Sequence, residues 1–342
     1  VRLAARAVAK QPYRVPLMSE IVALPWNGRK VVSLFAGCGG SSTGYRMAGF
    51  KVLWANEFIP AARACYLANC SPSTILDARD VREVTADDIL NSTSLKVGEL
   101  DVLDGSPPCS AFSSLSKIRE DGWGKVKAYS GTEQRVDDLF FEFTRILEGL
   151  QPRAFVAENV AGLIKGAAKG YFFEILKRLK GCGYRVTCKV LEAQWLGVPQ
   201  TRKRTIFVGV RNDLNIEPVH PKPRPYQYTV GEALASLPPP EEPYKLIPGW
   251  RQRNLTGFHM CLINANAPSG TITTLAKDFG IRLEGSQLYR KPTIPEVKRI
   301  CGFPDDFVLL GSYEKQFERL GRAVPPLMMR AVAETLRDEV LR

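Results

Sequence analysis

The sequence predicts an α/β protein: a mainly parallel sheet covered by helices on both faces, followed by a small irregular domain. Three observations carry that prediction. Short apolar runs alternate with amphipathic stretches from Lys30 to about Arg211, the texture becomes proline-rich and aperiodic beyond it, and helical patterning returns near the end.

Taken in order, Val31–Phe35, Lys51–Ala55, Asp101–Asp104, Ala154–Ala157 and Thr205–Gly209 read as strands. Leu139–Leu150 and Tyr171–Lys180 carry apolar residues at helical spacing. Sheets built this way bind ligands at the carboxyl ends of their strands, so the loops after those runs are where chemistry is expected. Residues 30–211 form this first domain. Pro218–Pro248, with Pro238-Pro-Pro240 inside it, marks a second domain over residues 212–287. Helical patterning resumes at Ile294–Cys301 and Pro325–Leu341, within a closing part over 288–342. Residues 1–29 read either as an ordered extension or as an arm.

The bulk numbers narrow the class. The chain has 342 residues, 45% hydrophobic and 24% charged, an ordinary globular composition. No apolar run approaches the roughly 20 residues that span a bilayer, and the basic, mixed N-terminal stretch lacks the apolar core of a secretion signal. A net charge of +12 favours a polyanionic partner, although a solvated basic surface gives the same number. The 8 cysteines include no CxxC pair, and with 2 histidines a metal site is not expected. A reduced, cytosolic protein fits best.

Several segments carry chemistry. Phe35-Ala-Gly37-Cys-Gly39-Gly40 ends the first strand and opens a helix through Ser41 and Ser42, where glycines let backbone approach a nucleotide-like ligand. A plain tight turn reads the same way. A dinucleotide fingerprint wants Gly or Ala where Ser42 stands, which argues against a nicotinamide oxidoreductase. Glu57 ends the second strand about 20 residues further on, where an acid commonly holds ribose hydroxyls. Asp80, past the next helical stretch, is placed to accept an adenine amine. Either acid alone would pass for a solvated charge; their order after the glycine turn raises both.

Cys109 follows Pro107 and Pro108 just past a strand end. A lone cysteine is usually a small buried hydrophobe. The stiffened loop at a strand terminus instead suits a thiolate nucleophile attacking an electron-poor ring carbon. Glu158-Asn159-Val160 follows another strand, and a carboxylate there is placed to protonate or hydrogen-bond a base edge. Arg202 and Arg204, in Gln200-Thr-Arg202-Lys-Arg204, could point together at phosphate and base oxygens, or form a solvated charge run.

Together these segments resemble the DNA cytosine-5 methyltransferase family, in its usual unpermuted order. Phe35–Gly40 resembles its cofactor loop, Pro107-Pro-Cys109 its nucleophile loop, and Glu158–Val160 and Gln200–Arg204 its next two signatures. Ile300-Cys-Gly-Phe-Pro-Asp-Asp-Phe307 resembles the segment that organises the target-recognition domain, and Gly321-Arg-Ala-Val-Pro-Pro326 the last motif, which packs beside the cofactor loop. The match spans about Lys30 to Leu341.

The resemblance implies a Rossmann-like S-adenosylmethionine-dependent methyltransferase fold with a small irregular target-recognition domain at 212–287, and a closing part that returns to the catalytic domain. It implies S-adenosylmethionine held by Phe35, Gly37, Gly39, Gly40, Glu57, Phe58, Asp80, Val81, Pro108, Arg322, Ala323 and Val324. It implies that Cys109 attacks C6 of a cytosine flipped out of double-stranded DNA. Glu158 then engages N3 and the exocyclic amine, Arg204 contacts O2, and Arg202 makes a phosphate or loop contact. The stretch from Ser110 to about Arg135, with Gly122, Gly124 and Gly131, resembles the loop that closes over DNA. Trp250, Arg251, Arg253, Asn254 and His259 are candidate readout residues, and Ala267–Thr273 resembles the re-entry into the catalytic domain. The implied setting is a bacterial or phage cytoplasm, at the nucleoid, with a monomeric enzyme and a cognate restriction endonuclease as candidate partner.

Three positions depart from the family pattern. Ser33 stands where many members have Asp, Ser110 where many have Gln, and Arg322 where the last motif has Asn. That last position borders the methionine end of the cofactor, where a guanidinium repels a sulfonium unless an anion lies between them. Either Arg322 points away and pairs with a nearby acid or phosphate, or it accommodates carboxy-S-adenosylmethionine, giving 5-carboxymethylcytosine. Two rivals remain. The tRNA branch shares the catalytic motifs, but its Cys-Phe-Thr segment is not apparent; a catalytically silent DNA-binding module predicts loss of Cys109, Glu158 or the arginines, and all are present.

Overall fold

The computed structural model describes residues 9–108, 138–164, 169–240, 264–276 and 289–342, with the strand segments 127–129, 132–134, 246–247, 261–263 and 279–282. A seven-stranded sheet organises the molecule. Its strands are β1 (Lys30–Leu34), β2 (Lys51–Asn56), β3 (Ile75–Asp77), β4 (Val102–Gly105), β7 (Ala154–Val160), β8 (Tyr184–Glu192) and β9 (Lys203–Arg211); β5 (Lys127–Tyr129) and β6 (Thr132–Gln134) pair separately. The order is β3-β2-β1-β4-β7-β9-β8. The first five run parallel, and β9 lies antiparallel to both β7 and β8.

Parallel strands are buried on both faces, which explains the unbroken apolar runs. Alternate residues of a strand face opposite ways, so Val31 joins one core layer and Val32 the other. On one side α5 (Leu139–Leu150) and α6 (Lys169–Gly181) bring Phe140, Phe143, Leu147 and Ile175 against Leu103, Phe155 and Phe207. The other side is covered by α2 (Gly40–Met47) and α10 (Pro326–Thr335), with Met328, Met329 and Val332 against Val52, Val156 and Val208. These two helices touch closely. A Cβ on Gly44 would meet the Pro326 carbonyl oxygen at 2.6 Å and Met329 Cβ at 2.7 Å.

The remaining helices are α1 (Met18–Ala23), α3 (Pro60–Leu67), α4 (Ala86–Thr93), α7 (Val230–Leu234), α8 (Ile294–Ile300) and α9 (Tyr313–Arg322). Local chemistry sets several of their starts. Pro60 opens α3, and Thr85, Thr229 and Thr293 cap α4, α7 and α8 with an acid three residues on completing each box. A four-stranded sheet, β10 (Leu246–Ile247), β13 (Tyr289–Arg290), β12 (Phe279–Arg282) and β11 (Cys261–Ile263), sits in the region expected to be irregular. A third apolar cluster joins Ile263, Ile272 and Phe279 to Val297, Phe303, Phe307 and Phe317.

The five expected strands correspond to β1, β2, β4, β7 and β9, and β3 and β8 are additions. The chain runs from β1 outward through β2 to β3, then returns to place β4 on the other side of β1. That reversal opens a crevice at the carboxyl ends of β1 and β4, the place where open α/β sheets hold ligands.

Candidate active site

The crevice is a cavity of about 930 Å³, part of it open to solvent. Its floor is the turn after β1. Phe35 there has φ +54°, a left-handed conformation that side chains other than glycine rarely adopt, followed by Gly37 at φ +59° and Gly39 at φ +97°. Gly40 is glycine for another reason. A Cβ there would meet the Val324 carbonyl oxygen at 2.3 Å, so the last motif can lie against the turn only if this position has no side chain.

Glu57, at the end of β2, is buried. Its Oε2 accepts a hydrogen bond from the Gly37 amide at 2.7 Å and its Oε1 one from the Ile59 amide at 2.6 Å. Burial pushes this carboxyl up, and the two amides oppose it. The carboxylate is thereby locked in orientation, with lone pairs left for a ligand's hydroxyls. Asp80 lines the cavity too, with its Oδ1 accepting from the Arg82 amide at 3.0 Å and its Oδ2 ion-paired to the Arg82 guanidinium at 2.9 Å.

Phe35, Gly37, Gly40, Glu57, Phe58, Asp80, Val81, Pro108, Arg322, Ala323 and Val324 all line this cavity. Gly39 does not: it lies one step behind, against Tyr66, where a Cβ would meet the ring at 3.2 Å. Asp104, Ser106 and Arg319 line it as well and were not singled out from the sequence. Arg319 had a findable signal, since it lies three residues before Arg322 on the same helix, α9. Both guanidinium groups share one acid. Arg322 Nε lies 2.9 Å and Arg319 NH2 3.3 Å from Glu318 Oε1. Arg322 therefore both lines the cavity and pairs with an acid of its own helix.

The second part of the site lies at the end of β7. Glu158 is buried there, and its Oε1 lies 2.7 Å from Arg204 Nε on the neighbouring β9. The β7–β9 register places Arg204 opposite Val160, two residues along from Glu158. Burial pulls the Arg204 guanidinium down and the Glu158 carboxylate opposes this. Asn159 donates from Nδ2 to the Pro107 carbonyl at 3.4 Å, a long bond that ties β7 to the loop entering Cys109.

Of the two contacts expected of it, phosphate or loop, Arg202 makes the one to a loop. It points inward, 1% exposed, and donates to the carbonyls of Ile272 at 3.1 Å and Gly321 at 2.9 Å. A side chain buried in this way reaches no phosphate. It caps the carboxyl end of α9, where unpaired carbonyls attract a cation, and fastens the 267–273 segment to that helix. Gln200 works beside it, donating to the Ile300 carbonyl and accepting from the Ile272 amide. Cys109, Ser110, the segment to Arg135 apart from the paired strands β5 and β6, and the readout candidates Trp250, Arg251, Arg253, Asn254 and His259 lie outside the described residues.

The fold and the place of its cavity are those of open α/β proteins that hold ligands at a switch point. Comparison with known proteins makes the class specific. The family model for C-5 cytosine-specific DNA methylase matches residues 29–256 and 241–338. The chain belongs to that family and is a DNA cytosine-5 methyltransferase. Similar curated proteins include Type II methyltransferase M.NgoPII of Neisseria gonorrhoeae, 29% identical over 93% of this chain and 98% of that protein. Type II methyltransferase M1.HphI of Haemophilus parahaemolyticus is 31% identical over 89% of this chain and 86% of that protein. Among solved structures, a prophage-encoded DNA modification methyltransferase from E. coli superposes with a TM-score of 0.71 at 20% identity, covering 92% of this chain and 100% of that one. A triple mutant of Spodoptera frugiperda DNMT2 gives 0.67 at 20% identity, with the same two coverages of 92% and 100%. These likenesses establish the S-adenosylmethionine-dependent methyltransferase fold. No helix among the described residues is long and apolar enough to cross a membrane.

Proposed function

We propose that this enzyme modifies C5 of a cytosine flipped out of duplex DNA, through a covalent bond between Cys109 and C6, with S-adenosylmethionine as cofactor. One observation carries the reading. The cavity at the β1–β4 switch point, with its amide-locked Glu57, reaches Ser106 and Pro108 of the loop leading to Cys109, and Asn159, next to Glu158 of the Glu158–Arg204 pair, is tied to Pro107 of that same loop. The cavity fits the cofactor in kind. An orienting carboxylate, a glycine turn without side chains and the apolar Phe35 and Val81 offer partners to ribose, backbone-hugging atoms and a flat base. When bound, S-adenosylmethionine supplies an electrophilic methyl group.

The chain's own residues do the rest. The Cys109 thiolate adds to C6, the ring's electron pair moves toward C5, and Glu158 protonates or hydrogen-bonds N3 and the exocyclic amine. Arg204 holds Glu158 in place by the 2.7 Å ion pair and is close enough to serve the base's O2. Once C5 is substituted, loss of its proton re-forms the double bond and expels the Cys109 thiolate by β-elimination. Residues 30–211 supply this machinery, and residues 212–287 the reading of the DNA word. The names of the relatives suggest a Type II restriction-modification setting, with a cognate endonuclease as partner.

A duplex carrying 5-fluorocytosine at the target tests the scheme, because fluorine cannot leave as a proton. A trapped adduct on Cys109 is expected, and one on another cysteine overturns the assignment. Cys109→Ala should lose turnover and keep duplex binding. Activity on tRNA but not on duplex DNA would reassign the substrate.

A second reading attaches to Arg322. Arg322 and Arg319 both line this wall of the cavity while ion-paired to Glu318. Carboxy-S-adenosylmethionine would place its extra carboxylate there and yield 5-carboxymethylcytosine. Mass spectrometry of DNA modified with both cofactors present decides: methyl transfer alone, unchanged in Arg322→Asn, overturns this second reading.

A further inference from the structure

The Asp104 carboxylate takes no part in the chemistry above, yet it lines the cavity at the end of β4. Its Oδ2 accepts from the Ser33 hydroxyl at 2.9 Å and from the Ser41 hydroxyl at 2.7 Å, which ties together β4, β1 and the first turn of α2. Its Oδ1 is buried and without a hydrogen bond among the described residues. The buried Tyr45 hydroxyl is near enough to affect its ionisation but makes no hydrogen bond of ordinary geometry with it. A carboxylate 1% exposed with one oxygen unmatched is a poor structural choice, since neutral or apolar side chains would hold the three elements at lower desolvation cost. Its value has to lie in the charge it presents to the cavity.

The charged cavity lining consists of Glu57, Asp80, Arg319 and Arg322 besides Asp104. Glu57 is committed to two backbone amides, Asp80 to Arg82, and the two arginines to Glu318. Glu158 raises the Asp104 carboxyl further, and Tyr45 and Tyr66 are the other titratable groups that sense it. Burial is the largest influence and pushes Asp104 up to about 7, with the two serines opposing it. A cation entering the cavity would draw that proton off.

We propose that Asp104 is a specificity-determining residue of the cofactor cavity, whose carboxylate favours the sulfonium form of the cofactor over its neutral thioether product. This rests on the reading that the cavity takes S-adenosylmethionine. The sulfonium of S-adenosylmethionine carries a positive charge that S-adenosylhomocysteine lacks, and otherwise the two differ by one methyl group. A carboxyl in a low-dielectric wall that ionises as the sulfonium enters separates them by charge, which packing alone cannot do. The consequence is weaker product inhibition.

The experiment is isothermal titration of the full-length protein with each ligand, wild type against Asp104→Asn, at pH 8. The ratio of S-adenosylhomocysteine to S-adenosylmethionine dissociation constants should fall about 3- to 30-fold in the variant. A purely structural role would weaken both ligands alike and leave the ratio unmoved. A second measurement needs no variant: at pH 7, in buffers of different ionisation enthalpy, wild-type protein should release a fraction of a proton on binding S-adenosylmethionine, and less on binding the product. Both ligands binding with an unchanged ratio and equal proton release overturns the role of Asp104 alone. Failure of S-adenosylmethionine to bind overturns the cofactor reading along with it.

Discussion

Replacing Arg202 by methionine separates two roles that a motif arginine can have. In the structure its guanidinium is buried and donates to the carbonyls of Ile272 and Gly321. Methionine fills much of the space and donates nothing. Each carbonyl left unmatched costs about 1–3 kcal/mol, and removing a buried cation recovers part of that, so the net loss should be about 2–4 kcal/mol. For a protein of this size that is a fall in Tm of roughly 3–6 °C. The companion assay is DNA affinity as a function of salt. If Arg202 neutralised a phosphate, the variant's slope of log K against log salt would be shallower by about 1. If it serves as a clamp, the slope stays unchanged. Unaltered thermal stability together with a reduced salt slope would refute the assignment of Arg202 as a clamp.

Other substitutions probe the remaining walls of the site. Gly40→Ala puts a methyl 2.3 Å from the Val324 carbonyl oxygen, and a backbone shift of that kind should cost about 1–3 kcal/mol and weaken cofactor binding, read by denaturation and calorimetry. Glu158→Gln keeps an acceptor for Arg204 but no carboxyl proton; single-turnover rates should fall about 10²- to 10⁴-fold while cofactor affinity holds. Asp104 also makes stability depend on pH. Its folded carboxyl is raised to about 7 from an ordinary 3.8, so the contribution is full below pH 3.8 and lost as pH rises through 7. Between pH 6 and 8 the wild type should lose about 1 kcal/mol that Asp104→Asn does not, measured by urea denaturation in each buffer.

How far the sequence could be read depended on the kind of burial involved. β1, β4 and β7 are covered on both faces and stand out as apolar runs. β8 mixes Arg185, Thr187 and Lys189 with apolar residues and so lacks the unbroken apolar run that marks the strands buried on both faces, and β3 is only 3 residues long. Most of the cavity wall was legible because a glycine turn followed in order by acids near strand ends marks the edge where an open sheet has its crevice. Arg202 and Arg204 show the limit. Two arginines one residue apart look equivalent in a string, yet one lies under the 272 and 321 carbonyls and the other against Glu158. Asp104 was hidden for a related reason: it sits within a strand, and only the pairing of β1 with β4 shows that Ser33 lies opposite it.

The close approach of Gly40 to the Val324 carbonyl bears on how the enzyme comes into being. The turn that floors the cavity is made first, and Ala323 and Val324, which close its far wall, are added almost 300 residues later. A nascent chain therefore carries an open half-cup until those residues have been added. Modification competence should arrive only after α9 and the residues that follow it have emerged from the ribosome.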